Sequence, residues 1–430
     1  MRNWALCVGA LLFCTKSGDA SAQIRSSSVS DSCAVREIDR RTLRLIPDEH
    51  DLYIAPRTFV SNGKGAILLA GRPNYLFARG ADGRGILVSQ DSVLGAVVYE
   101  NELNPRIVPA PIDAQLVTGV RALARADGAW NIVFAERDSS LHDQPNRADD
   151  PIAGLWYGVY NGVSWTLLER IPIPPNVKLS AAMSANTPLV RMTDDNSLAV
   201  AVGAQVAHAS EGVIVFKRQA AAWSHEVVNT RSTAVGGLLY TESGEFLITV
   251  IAADPNVPPG GSDYNSLFLW SSGSTGWSLT RQIVRGGEEG GAISSILHPR
   301  NDGPAISWVA EVGERLHLRV RTSLSDTNVT VDDDLGAFHR FSSVALSDSS
   351  HLWVTHHGRA SNSGEEPRLR FSILSREEVH SLGELPSPVL ESFWITLGER
   401  EGDILLTGAI GIAETGTVVS LVVRYQLVCR

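Results

Sequence analysis

The chain has 430 residues, 43% hydrophobic and 20% charged, with 38 glycines and a formal net charge of -10. That composition excludes a disordered or collagen-like chain, and an acidic surface without a dense Lys/Arg cluster argues against nucleic-acid binding. The length admits two or three average domains or one large closed array, so the internal pattern has to decide.

The N-terminus reads as a signal peptide over residues 1–22. Arg2 supplies the positive charge, Ala5 to Cys14 the short apolar run, and Ala20-Ser21-Ala22 the small residues before cleavage at Gln23. Leu11-Leu12-Phe13-Cys14 resembles a lipoprotein box, but the bulky Phe13 argues against lipid anchoring at Cys14. The apolar run is too short to cross a bilayer, and no other run approaches the required length, so no transmembrane segment is expected. Removing residues 1–22 leaves Cys33 and Cys429 as the two cysteines of the mature chain, one near each end. In a secreted or periplasmic protein they are expected to pair as a disulfide.

Helical periodicity is scarce, and hairpins recur throughout the remaining single domain, 23–430. Seven segments share an apolar strand, a polar turn and a second strand rich in β-branched and aromatic residues: Thr58 to Gly71, Arg121 to Glu136, Pro188 to Gly203, Leu238 to Ala252, Ser295 to Glu311, Ser343 to His357 and Phe393 to Ala409. Their turns, at Gly63, Gly128, Asn196, Gly244, Gly303, Ser349 and Gly402, recur about every 56 residues, room for four strands per unit. Third and fourth strands follow in several units, the fourth opening on Trp165, Trp223 or Trp277, each expected to pack between neighbouring sheets.

The last unit has one strand too few after Ala409. Residues 33–46 can supply it: an antiparallel pairing of the first mature strand with the last sets Cys33 beside Cys429. The fold expected is therefore an all-β propeller, a repeat of seven four-stranded blades closed by its N-terminal strand. Six blades is the alternative, should the irregular first unit, Tyr53 to Pro109, merge with its neighbour. A pair of β-sandwiches explains neither the repeated hairpins nor the incomplete final unit.

The tryptophan-bearing units resemble those of secreted sialidase-like propellers of the Asp-box type. Ser271-Ser272-Gly273-Ser274-Thr275-Gly276-Trp277 is the nearest approach to the Asp-box, without its aspartate and in one copy. The resemblance implies the propeller architecture. Its arginine cluster, tyrosine nucleophile and acid match no particular residues here, so the catalytic residues are unknown at this stage.

In a propeller, the second-to-third strand connections and the links between blades share one face. Three such connections are long, Arg137 to Gly154, Ala253 to Ser266 and His356 to Arg368, and long loops on a rigid scaffold build binding surfaces. The candidate ligand-binding region on that face comprises Asp138, His142, Asp143, Asp149, Asp150, Asp254, Asp263, Tyr264, Glu288, Glu289, Arg340, His356, His357 and Arg359, with the acidic link Asp332-Asp333-Asp334 beside it. No cofactor is expected. The acidic loops are read as hydrating the surface, with a Ca2+ ion as the alternative. The adjacent His356 and His357 should point to opposite faces of their strand, which disfavours a shared metal.

The leading expectation is an exported, monomeric, non-catalytic propeller that binds a protein or glycan through its long-loop face. The alternative is a sialidase-like glycoside hydrolase or lyase working at the central channel. Fold alone does not separate them.

Overall fold

In the computed structural model the described residues are 33–45, 50–53, 56–70, 75–79, 85–89, 93–99, 105–113, 116–141, 152–180, 189–192, 197–206, 210–253, 265–286, 291–300, 303–312, 315–322, 328–335, 341–347, 350–357, 367–375, 378–389, 393–412 and 417–429. Residues 1–22, read above as a signal peptide, lie outside them.

The chain forms a seven-bladed β-propeller of antiparallel four-stranded sheets. Blade 1 runs from the innermost strand outward through Pro56–Ser61, Gly65–Ala70, Val93–Tyr99 and Arg106–Pro109. Blade 2 is Val117–Ala124, Trp130–Arg137, Ile152–Tyr160 and Trp165–Arg170. Blade 3 is Leu189–Met192, Leu198–Val206, Ser210–Gln219 and Ala222–Val228. A short strand, Val177–Leu179, pairs with the far end of Leu198–Val206, so the inner edge of blade 3 is made in two pieces. Blade 4 is Ala234–Tyr240, Phe246–Ala253, Asn265–Gly273 and Gly276–Val284. Blade 5 is Ala292–His298, Ala305–Val312, Arg315–Arg321 and Val329–Leu335. Blade 6 is Phe341–Ser347, Ser350–His357, Arg368–Ser375 and Glu378–Pro386.

Blade 7 joins the two ends of the chain. Its first three strands, Phe393–Leu397, Asp403–Ile412 and Thr417–Val428, come from the C-terminus, and the outermost, Ala34–Thr42, comes from the N-terminus. The register runs from Ala34 opposite Val428 to Thr42 opposite Leu421, which brings Cys33 and Cys429 together as a disulfide. The closing strand is thus the one expected from 33–46.

The first unit looked irregular because it carries an insertion. Between its second and third strands lies the hairpin Tyr75–Arg79 and Gly85–Ser89, which joins Arg44–Leu45 and His50–Tyr53 in a separate small sheet. Blade 1 keeps its own four strands, and the count is seven.

All seven hairpins are the innermost pair of a blade. Of their turn residues, Gly63, Gly128, Gly244, Gly303 and Gly402 have φ between 79° and 101°, where a β-carbon would be strained. Asn196 and Ser349 lie outside the described residues.

The core is divided among the seams between blades, one apolar cluster to each. Period-2 alternation explains this: a strand within a blade turns alternate side chains to its two neighbours, and burial on both sides requires near-continuous apolar runs. Phe134 illustrates it, packing towards blade 1 while Val133 and Ala135 pack towards blade 3. The tryptophans fasten the seams. Trp165 Nε1 donates to the Pro109 carbonyl at 2.9 Å, Trp223 Nε1 to Glu169 Oε1 at 2.8 Å and Trp277 Nε1 to Glu226 Oε2 at 2.8 Å, each reaching the outermost strand of the preceding blade. Their place at the start of the fourth strand therefore serves packing between sheets, with the N–H satisfied by the neighbour.

The disulfide spans a sequence separation of 396 residues and locks the pairing that closes the ring. Cys33→Ser/Cys429→Ser should lower the unfolding free energy by about 2–5 kcal/mol. Urea denaturation of the two proteins, each followed by tryptophan fluorescence, checks this; equal midpoints and slopes would contradict it.

Candidate functional site

The seam between blades 5 and 6 differs from the rest. Blade 6 contributes only Trp353 and Leu374 to its buried apolar cluster, and polar groups fill both ends. Alternation along Ser350–His357 produces this asymmetry. Leu352, Val354 and His356 face blade 7, whereas Trp353, Thr355 and His357 face blade 5.

At the long-loop end, three side chains of blade 6 reach one carboxylate of blade 5, and two more extend the network behind them. Asp332, on the outermost strand of blade 5, has a fully buried side chain. Its Oδ2 accepts from Thr355 Oγ1 and lies 2.5 Å from His357 Nε2, while Oδ1 accepts the Asp334 amide at 3.1 Å and lies 3.5 Å from Arg370 Nη1. Arg370 Nε donates to Glu384 Oε1 at 2.9 Å, and Arg368 Nη1 lies 3.6 Å from Glu384 Oε2. The sheet register explains the grouping: Thr355, Arg370 and Glu384 are successive partners across three strands, and His357 with Arg368 forms the next row.

Burial by itself pushes the Asp332 carboxyl up. The hydrogen bonds from His357 and Thr355, the His357 charge and the Asp334 amide outweigh it and hold the group below its ordinary value. Asp332 is therefore a fixed anion that holds His357 through Nε2 and orients its ring. The His357 side chain is 15% exposed, and that of Arg368 is 62% exposed. The arrangement offers an oriented imidazole beside an accessible guanidinium, a pairing suited to proton transfer on an anionic substrate.

The short-turn end of the same seam is buried. His298 Nε2 lies 2.7 Å from Ser307 Oγ, and its ring packs edge-on against His351 and Trp353. Burial, then the nearby His351 and Arg300, hold the His298 imidazole well below its usual 6.5.

Of the residues assigned to the long-loop face, the structure brings His357 into this cluster together with Asp332. His356 faces the other way, as the alternation requires. It is buried, with Nε2 3.3 Å from the Val389 carbonyl and its ring beside Phe393, so it belongs to the blade 6–7 packing. The Asp138 carboxylate accepts the Ser140 amide at 2.8 Å and caps the single turn Ser139–Leu141, which lowers its pKa. His142, Asp143, Asp149, Asp150, Asp254, Asp263, Tyr264, Glu288, Glu289, Arg340 and Arg359 lie outside the described residues. Sequence reasoning missed Thr355, Arg368, Arg370 and Glu384. The i, i+2 spacing of Thr355 with His357 and of Arg368 with Arg370 was the available signal.

At the axis, the Arg121 guanidinium of blade 2 stacks on the Trp394 ring of blade 7 at 5.2 Å. Arginines and carboxylates converge in the outer part of the 5–6 seam instead, away from the innermost strands. Among the described residues no group of three or more His, Cys, Asp or Glu is placed to hold a metal ion, and no helix is long and apolar enough to cross a membrane.

No family model matches the sequence, and no curated protein matches it in sequence. Solved structures do match its fold. An oligogalacturonate lyase in complex with manganese has a TM-score of 0.51 at 8% identity, over 92% of this chain and 98% of that one. An oligogalacturonate lyase from Vibrio parahaemolyticus gives 0.49 at 9% identity, over 91% and 98%. A Trypanosoma rangeli sialidase in complex with sialic acid gives 0.40 at 10% identity, over 89% and 59%. At these identities the likeness is one of fold.

The depressed His298 pKa has a consequence for stability. Unfolded chains take up a proton near pH 6.5 that the folded protein refuses, so stability is full above that pH and falls as pH drops below it. Unfolding midpoints should decline from pH 7 to pH 5, with a slope from this group of at most about 1.4 kcal/mol per pH unit. In His298→Gln the decline should be shallower; an identical pH profile would contradict the assignment.

Proposed function

We propose that this chain is an exported carbohydrate-active enzyme of the lyase type, working on an acidic glycan at the long-loop end of the seam between blades 5 and 6. The observation that carries this reading is the buried Asp332 carboxylate holding His357 at 2.5 Å beside the exposed Arg368.

Elimination suits these residues. Arg368 would take the carboxylate of a uronate ring, which makes the proton on the adjacent carbon more acidic. His357 would remove that proton. The C–H electron pair becomes the new C=C bond, the glycosidic C–O bond breaks, and the leaving oxygen carries the electron pair away and is protonated. Asp332 stabilises the imidazolium as it forms. Hydrolysis fits less well: it needs two carboxylates facing one bond, and here Asp332 is buried while Glu384 is held by two arginines. A fold neighbour named as an oligogalacturonate lyase is consistent with this reading. The Cys33–Cys429 disulfide and the signal-like N-terminus support export.

Purified mature protein should release unsaturated uronate ends, read by ultraviolet absorbance, from at least one of polygalacturonate, alginate or a glycosaminoglycan. His357→Ala should lower kcat by about 100-fold or more, and Arg368→Ala should act mainly on KM. Retention of an acidic glycan without any turnover would overturn the catalytic reading in favour of a binding propeller.

A further inference from the structure

The face opposite the long loops carries a cleft of about 510 Å3 between blades 3 and 4. Nothing in the proposed elimination uses it. Its volume is that of a small-ligand site, and its walls are mainly polar.

Along one wall Lys217 Nζ and Glu226 Oε1 are 2.8 Å apart, and Trp277 Nε1 holds the other carboxylate oxygen at 2.8 Å. The Glu226 side chain lines the cleft and is still 44% exposed. Beside them Tyr240 and Phe246 pack with ring centroids 4.8 Å apart, and Lys217 lies over the buried Phe246 ring at 5.1 Å. Ser243 and Ser274 stand at the mouth. The rim is strained: Ala220 and Ala221, next to the lining residue Gln219, have φ of 46° and 70° in a hairpin turn that asparagine or glycine would occupy without strain.

We infer that this cleft binds a neutral sugar ring. An ammonium and a carboxylate side by side match two vicinal hydroxyls, one accepting from Lys217 and the other donating to Glu226. The half-buried Tyr240 ring offers an apolar surface for C–H faces. An anionic ring is disfavoured, because Glu226 and Glu245 outnumber the single lysine, which is already paired. The sparse apolar lining disfavours a lipid or aromatic ligand.

Calorimetry of the full mature protein with neutral hexasaccharides of glucose, xylose and mannose tests this. Saturable binding is expected for at least one of them. Glu226→Gln should weaken it about tenfold or more, and Ser243→Trp, at the exposed mouth, should abolish it with the thermal midpoint unchanged. Ser243→Trp should also leave elimination activity intact, so failure here and failure of the lyase reading are separate results. No saturable binding by any of the three, binding that survives both substitutions, or preference for an acidic hexasaccharide over the neutral ones would each overturn it.

Discussion

Closure of the ring is the constraint on which the rest of the structure depends. Seven wedge-like sheets bury their faces only against each other, so a gap anywhere would expose two apolar surfaces. The gap is closed inside blade 7, where Ala34–Thr42 pairs with Thr417–Val428 and Cys33 is bonded to Cys429. Val35, on the closing strand, packs into the blade 6–7 cluster, and Leu43, just beyond it, into the blade 7–1 cluster. The N-terminal segment therefore contributes to the seams on both sides.

With the ring closed, each seam can be compared with the others. Most are sealed by aliphatic and aromatic side chains, and three are fastened at the rim by tryptophan. The 5–6 seam instead buries Asp332, Thr355, His298 and His351. Polar groups in such a place cost stability unless they are paired, and here the Asp332 carboxylate has partners for both oxygens. Other blades also bury polar groups, Asp403 among them, but the shared plan of the sheets asks for no Asp-His pair, which makes this one informative.

Much of the fold was legible in the residues. Apolar hairpins recurring at a steady spacing, glycines at their turns and a final unit lacking one strand were enough to specify blades and closure. The side sheet of Tyr75–Arg79 and Gly85–Ser89 was not, because short strands inserted within a unit blur its spacing without changing its composition. The candidate site was legible only in part. Loop length pointed to the face that carries His357, but the partners that give His357 its chemistry come from a different blade and from two further strands of its own. Asp332 stood out only as part of an acidic run, and its burial depends on how two blades meet, which local sequence does not encode. Long loops also drew attention away from the short-turn face, where a cleft forms between turns that are individually unremarkable in sequence.

The central claim is that an acidic glycan is handled at the polar seam between blades 5 and 6. A crystal structure of His357→Ala, with an acidic oligosaccharide bound, tests it most directly. A sugar carboxylate should sit at Arg368, with the adjacent ring carbon facing the space left by the imidazole. An acidic oligosaccharide seated at the central channel or on another seam, with the 5–6 seam untouched, would contradict it.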